Sequence, residues 1–317
     1  MKNVLAIAAL AIIISSCNTS YEKTPSGLAY KIFKGDGKRT LKAGDIIKFN
    51  ISVKLSPKDT VWFTTYGKVP QYIPFDTSNK QTNDFTEVLK FCGEGDSIVA
   101  ITQIDSLVKK GLAQYSEVLK KGDQVVTQVK IMKVFTKDEE VVQDQKKEIE
   151  NKKKAEIADL ESYIKKNNIK AEKTENGVFV EMKTAGTGAP VLDGKQITVD
   201  YTGYLLENGK AFDSNVDSTI GKIQPFTFVV GRDPVITGWP EGLKKFAEGG
   251  SGTLYIPSMM AYGPRGSQPV IPPFAALKFV VTVRKVADAP PVQPMPTPAM
   301  PQANGAAQNG QPAKGKK

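Results

Sequence analysis

The chain has 317 residues, enough for two domains of ordinary size plus extensions at roughly 150 residues per domain. Hydrophobic residues at 40% and charged residues at 24% exclude a wholly disordered chain and a polytopic membrane protein. The absence of histidine excludes Ser-His-Asp and Cys-His catalysis and the commonest zinc ligand set. The net charge of +10 comes from lysines that are dispersed or alternate with glutamate, so it reads as a solvated surface, one suited to anionic lipid headgroups, and no nucleic-acid partner is expected.

At the N-terminus Lys2 precedes the apolar run VLAIAALAIII, Val4 to Ile14. Such a run is too short for a bilayer core, which needs about 20 helical residues, and reads as the h-region of a signal peptide over residues 1–16. Ile14-Ser15-Ser16-Cys17 resembles a bacterial lipobox. That resemblance implies cleavage before Cys17, acylation of its thiol, and a membrane anchor to which each buried methylene contributes about 0.8 kcal/mol. The alternative is an ordinary signal peptide with a chance cysteine. Asn18 is not the aspartate that in some bacteria retains lipoproteins at the inner membrane, so the periplasmic face of the outer membrane is the expected location. Residues 17–21 would be a tether. Cys92, the only other cysteine, has no disulfide partner if Cys17 is acylated and is expected to be a buried small hydrophobe.

Residues 22–135 carry SGLAYKIFKGDGKRTLKAGDIIKFNISV (Ser26 to Val53) and EVLKFCGEGDSIVAI (Glu87 to Ile101). Their plan is strand, turn, alternating strand, short helix, Gly-rich turn, strand and a last alternating strand. Residues 136–168 lack Gly and Pro and favour helix; Ile149, Ile157, Leu160 and Ile164 give only a thin apolar stripe. An exposed connecting helix of roughly 30 residues is expected, able to hold two domains about 45 Å apart. A coiled-coil dimer is the alternative, weakened because its apolar heptad positions are too often charged.

Residues 169–287 repeat the earlier plan. NGVFVEMKTAGTGAPVLDGKQITVDYTGY (Asn176 to Tyr204) matches the phase of the first stretch, and EGLKKFAEGGSGTLYI (Glu241 to Ile256) matches the second with one residue inserted. Ile197, Val199 and Tyr201 alternate, as do Phe226 and Phe228, Leu254 and Ile256, and Leu277, Phe279, Val281 and Val283. The buried face of these strands needs cover, and the helix PEGLKKF supplies Leu243 and Phe246; Pro240 suits its first turn, and Gly249 and Gly250 its stop. Two copies of one α+β domain follow. Residues 288–317 are rich in Pro, Ala, Gly and Gln without apolar periodicity, and are expected to be disordered.

Six blocks in the second copy, VDYTGYL, FDS, PFTFVVG, VITGWPEGL, AYGPRG and VIPPFAALKFVVTV, resemble FKBP-type peptidyl-prolyl cis-trans isomerases in order and spacing, from Gly177 to Val286. The fold implied is an antiparallel half-barrel wrapped around one short helix. By the same resemblance Tyr201, Asp213, Trp239 and Tyr262 are the catalytic set. The indole of Trp239 would be the floor of a proline pocket, and Phe226, Val235, Ile236 and Phe279 its walls with the two tyrosines. Phe212 and Ile271 would stand with Asp213 at the rim or side. The Tyr262 hydroxyl and the Ile236 N–H would donate to substrate carbonyls, and Asp213 would act as a fixed dipole partner, not a base. The implied substrates are proline-containing segments of folding exported proteins. No cofactor is required, and the macrolide inhibitors of the family are candidate ligands. A purely structural Asp213, bonded to neighbouring hydroxyls, is the plainer alternative, and the two roles are compatible.

Two departures from the family pattern stand out. The stretch DSNVDSTIGKIQP is a few residues longer than in compact members, so a different flap beside the pocket is expected, and Ser267 and Gln268 stand where some relatives carry bulkier groups, which puts sequence preference in doubt. In the first copy the phase match sets Ile51 opposite Tyr201, Thr64 opposite Asp213 and Phe85 opposite Trp239, and DSLVKKGLAQYSEVLKKG replaces the tyrosine-glycine and proline motifs. A degenerate FKBP-like domain for client binding or dimerisation is expected there; an unrelated β-rich domain is the alternative. For the whole chain the competing function is a non-catalytic chaperone or binding module of the cell envelope. A hydrolase built on GGSG at 249–252 lacks both the nucleophile-turn spacing and an imidazole.

Overall fold

The computed structural model describes residues 20–37, 39–78 and 82–291. The first unit contains β1 (Glu22–Lys23), β2 (Ala29–Phe33), β3 (Ile46–Ser56), β4 (Thr60–Thr64), β5 (Gln71–Pro74), a 3-10 turn (Phe85–Phe91), β6 (Ser97–Gln103), α1 (Ile104–Lys109) and β7 (Gln124–Phe135). Helix α2 (Asp138–Lys166) follows. The second unit contains β8 (Glu172–Lys173), β9 (Phe179–Thr184), β10 (Lys195–Leu205), β11 (Ala211–Ser214), β12 (Phe226–Val229), α3 (Gly238–Leu243), β13 (Ser251–Ile256), 3-10 turns at Ser258–Met260 and Gly263–Arg265, and β14 (Leu277–Asp288). The signal sequence, Cys17 and nearly all of the C-terminal tail lie outside the described residues.

The two sheets have one topology. Strands run β1-β2-β6-β7-β3-β4 with β5 also on β3, and β8-β9-β13-β14-β10-β11 with β12 also on β10; every pairing is antiparallel. Register shifts fall at Lys48/Phe49 and Val53/Lys54 in the first sheet and at the matching Thr198/Val199 and Gly203/Tyr204 in the second, which has one more at Ser251/Gly252. Local bonds repeat as well. Leu28 N donates to Thr24 Oγ1 as Val178 N does to Thr174 Oγ1, and Glu87 accepts from Ser26 as Glu241 does from Asn176. The two-copy α+β reading therefore holds, since a bulge is an inserted residue that unrelated sheets would not share at matching places.

One part of the phase match needs correction. Val53 pairs with Phe63 as Gly203 pairs with Asp213, so Phe63, not Thr64, stands where Asp213 does. The two hairpins are equally long, so the offset set at Ile51 and Tyr201 carries through the turn. Thr65 then matches Asn215: the side chain of each accepts the backbone N–H of Ile51 or Tyr201, at 2.9 and 2.6 Å.

The cores follow from strand alternation. Ile47, Phe49 and Ile51 of β3 close on Val88 and Leu89, and Ile197 and Val199 of β10 close on Trp239 and Leu243. Cys92 is buried in the first core, where burial first, and then the nearby Asp96 charge, pushes its thiol up to about 12. In the second unit α3 lies close against β13 because Gly242 has no side chain; a Cβ there would stand 2.7 Å from Leu254 Cδ2.

Helix α2 is mostly exposed, but it does not hold the units apart. It buries Val141, Glu156, Leu160 and Ile164. Near its start, Lys48 on the outer face of β3 donates to Asp144 and Glu148 at 2.6 and 2.8 Å, and the Tyr72 hydroxyl also donates to Asp144. Toward its end Leu160 and Ile164 pack with Phe179 and Tyr255 on the outer face of the second sheet. Midway, Lys152 donates to Gly67 O of the first unit at 2.9 Å and lies 5.6 Å from the ring centroid of Phe274 in the second. The expected 45 Å spacer is thus a strut with both units against it, because the stripe read as too thin includes charged residues whose partners lie on the sheets.

Candidate active site

The core of the second unit includes a group of aromatic rings. Trp239 opens α3 and is 4% exposed. Phe226 of β12 and Phe279 of β14 each stand edge-on to the indole, with centroids 5.3 Å away and planes at 89°. Tyr201 of β10 does so at 5.1 Å and 77°, and Phe228 closes the far side at 5.9 Å. Edge-to-face contacts suit the aromatic quadrupoles, so each wall holds the flat ring in place. The indole Nε1–H has no acceptor among the described residues, and such a buried donor costs about 1–3 kcal/mol.

Polar groups gather on one side. The Tyr201 hydroxyl donates to Asp213 Oδ2 at 2.6 Å. Burial, then that hydrogen bond and the carboxylate charge, raises the Tyr201 phenol well above the usual range; burial and the same carboxylate raise Tyr262. Tyr262 is 40% exposed, and its hydroxyl bonds to no described residue. The Ile236 N–H likewise has no acceptor among the described residues, while its carbonyl accepts from Trp239 N at 3.0 Å.

The structure brings the expected residues together. Tyr201, Phe212, Phe226, Val235, Ile236, Trp239, Ile271 and Phe279 share one cluster, with Asp213 and Tyr262 at its polar side. Sequence reasoning missed three supports. Asn215, buried behind Asp213, accepts from Tyr201 N and donates to Val199 O and Gln224 O, pinning the long segment after β11. Gly203 leaves room for two rings, since a Cβ there would stand 2.6 Å from Phe212 Cζ and 2.8 Å from Phe279 Cε1. Glu156 of α2 bonds to the turn that precedes Tyr262. A glycine on an otherwise filled strand was a readable signal for Gly203; nothing local marked Glu156.

The first unit lacks this constellation. Ile51, Phe63 and Phe85 occupy the places of Tyr201, Asp213 and Trp239, and α1 follows β6 where the segment leading to Tyr262 follows β13.

A family model described as FKBP-type peptidyl-prolyl cis-trans isomerase matches residues 188–284. The FK506-binding protein of Neisseria meningitidis serogroup B (strain ATCC BAA-335 / MC58) is 46% identical over 110 residues, 35% of this chain and 96% of that protein. FK506-binding protein 1 of Candida glabrata is 41% identical over 117 residues, 37% of this chain and 98% of that protein. Among solved structures, FkpA from Escherichia coli is 26% identical with a TM-score of 0.38, covering 59% of this chain and 80% of that one.

Proposed function

The chain belongs to the FKBP-type peptidyl-prolyl cis-trans isomerases, and from that membership we propose that its second unit turns X-Pro bonds of folding exported proteins in the aromatic pocket floored by Trp239. The observation that carries this reading is the indole held flat by three edge-on rings beside two donors that no described residue pairs, the Tyr262 hydroxyl and the Ile236 N–H.

The chemistry needs no nucleophile. Nitrogen lone-pair delocalisation sets a rotation barrier of about 18–20 kcal/mol, and X-Pro isomers differ by only about 0.5–1 kcal/mol. Twisting the bond ends the delocalisation and reduces the amide dipole. An apolar socket therefore disfavours the planar ground state more than the twisted transition state. The pyrrolidine ring rests on Trp239 between Tyr201, Phe226 and Phe279. Tyr262 and Ile236 N–H fix the flanking carbonyls, while Val235, Phe212 and Ile271 border the bound chain. Asp213, held by Tyr201, orients the turning carbonyl electrostatically and takes no proton. A macrolide that fills the same socket would compete.

In this reading Cys17 carries the lipid, and the enzyme works at the periplasmic face of the outer membrane, where exported chains fold. Incorporation of labelled palmitate, lost in Cys17→Ala, tests the anchor. A second role rests on β4 of the first unit, which exposes Val61, Trp62 and Phe63. That unit would hold apolar client segments without isomerising them. Trp62→Ala with Phe63→Ala would then weaken suppression of client aggregation while leaving tetrapeptide isomerisation intact.

The test of the main proposal is a proline-tetrapeptide isomerisation assay of wild type, Asp213→Val and Tyr262→Phe. Wild type accelerates the exchange and both variants are slower. Equal rates for all three would remove the pocket from the mechanism.

A further inference from the structure

The geometry points to Glu156, on the helix between the two units, as a positioning residue for the loop that carries Tyr262. Glu156 is 7% exposed, and both its oxygens are engaged: Ser258 Oγ donates to Oε1 at 2.6 Å and Met259 N to Oε2 at 3.2 Å. Ser258–Met260 is the 3-10 turn directly before Ala261 and Tyr262. Its first N–H groups have no partner within the turn, and the preceding Pro257 has no side-chain acceptor to cap them. A carboxylate 103 residues away in the chain takes that role for the Met259 N–H, while its other oxygen holds the Ser258 hydroxyl.

From this capped turn, the placement runs to the pocket on two sides. Met260 O accepts from Thr237 Oγ1 at 3.2 Å, joining the turn to the segment of Ile236 and Trp239. Beyond Tyr262, Gly263 O accepts from Phe274 N at 2.9 Å. Phe274 has φ +61, a conformation unusual for an aromatic residue, and its ring lies near Lys152 and Lys68 at 5.6 and 6.0 Å. Lys152 Nζ is also 3.5 Å from Glu156 Oε1 and donates to Gly67 O of the first unit. The segment around Tyr262 is therefore tied to α2 at Ser258, Met259 and Phe274, and Lys68 of the first unit lies near it at Phe274.

This inference rests on Tyr262 binding substrate, and it is tested by a cycle of Glu156→Ala and Tyr262→Phe in the full chain, with KM and kcat measured separately on a proline tetrapeptide. Glu156→Ala is expected to raise KM at least threefold with kcat within twofold, and to add nothing to KM in the Tyr262→Phe background. Glu156→Gln, which keeps an oxygen for Ser258, should lie closer to wild type, and carries the same cycle if Glu156→Ala does not fold. Val141→Ala, which loosens the far end of α2, should lower Tm with KM unchanged. A KM rise that persists in the Tyr262→Phe background, or equal KM changes in Val141→Ala and Glu156→Ala, would overturn the proposal. If Tyr262→Phe itself leaves KM and kcat at wild-type values, the reading of Tyr262 fails instead.

Discussion

The Tyr201 hydroxyl donates to Asp213 Oδ2 at 2.6 Å, so the carboxylate is held by one tyrosine and lies near a second, Tyr262, whose hydroxyl bonds to no described residue. Removing the holding hydroxyl separates structure from chemistry. Tyr201→Phe leaves the ring contacts but frees Asp213, so kcat/KM should fall about tenfold, with a stability loss of about 1–3 kcal/mol from the lost charged hydrogen bond. Steady-state kinetics and denaturant melts read both.

Gly203→Ala should damage the pocket from behind. The new methyl meets the Phe212 and Phe279 rings, which must shift, and overpacking of this kind costs about 1–3 kcal/mol. KM should rise several-fold, and Tm should fall. Unchanged kinetics would show that these two rings do not shape the bound peptide.

Activity should be flat from about pH 6 to 9. The chain has no histidine, and the pocket tyrosines are raised from 10.0 by burial and by Asp213, so neither donor loses its proton in that window. The sign for stability follows from the same shifts. Raised phenols contribute stability in full below pH 10.0, and it is lost as pH climbs through their folded values. A pH–rate profile with a limb near neutrality would implicate a titrating group and contradict a mechanism in which no proton moves.

The docking of α2 has its own pH signature. Burial opposes ionisation of Asp144, but hydrogen bonds from Lys48 and Tyr72 outweigh it and lower its value below 3.8. A lowered carboxylate contributes stability above its unfolded value, and this is lost as pH falls through the folded one. Lys48→Met should remove most of this acid dependence and destabilise the chain, since two partly buried carboxylates lose their cation. Acid unfolding of the two proteins followed by circular dichroism checks it.

Much of the site was legible because its residues sit on regular elements. Alternation placed Tyr201, Phe226 and Phe279 on inward faces, and the Gly238–Trp239–Pro240 start of α3 put the indole beneath them. The repeat was legible for the same reason. Less legible was whatever depended on position across the chain. The exchange of Thr64 for Phe63 turned on hairpin length, which the side-chain types of β4 do not display. Glu156, Lys48 and Lys152 look like ordinary charges of a solvated helix and strand, and only packing shows that their partners are Ser258, Asp144 and Gly67. Residue pattern carries burial; it does not carry which distant backbone groups need a cap.

The central claim concerns where the proline goes, and a structure of the full chain with a bound X-Pro tetrapeptide tests it most directly. The account predicts the pyrrolidine ring lying over the Trp239 indole between Tyr201, Phe226 and Phe279, with a flanking carbonyl on the Tyr262 hydroxyl. A peptide bound at another place on the chain, with the indole still covered by its own neighbours, would contradict it.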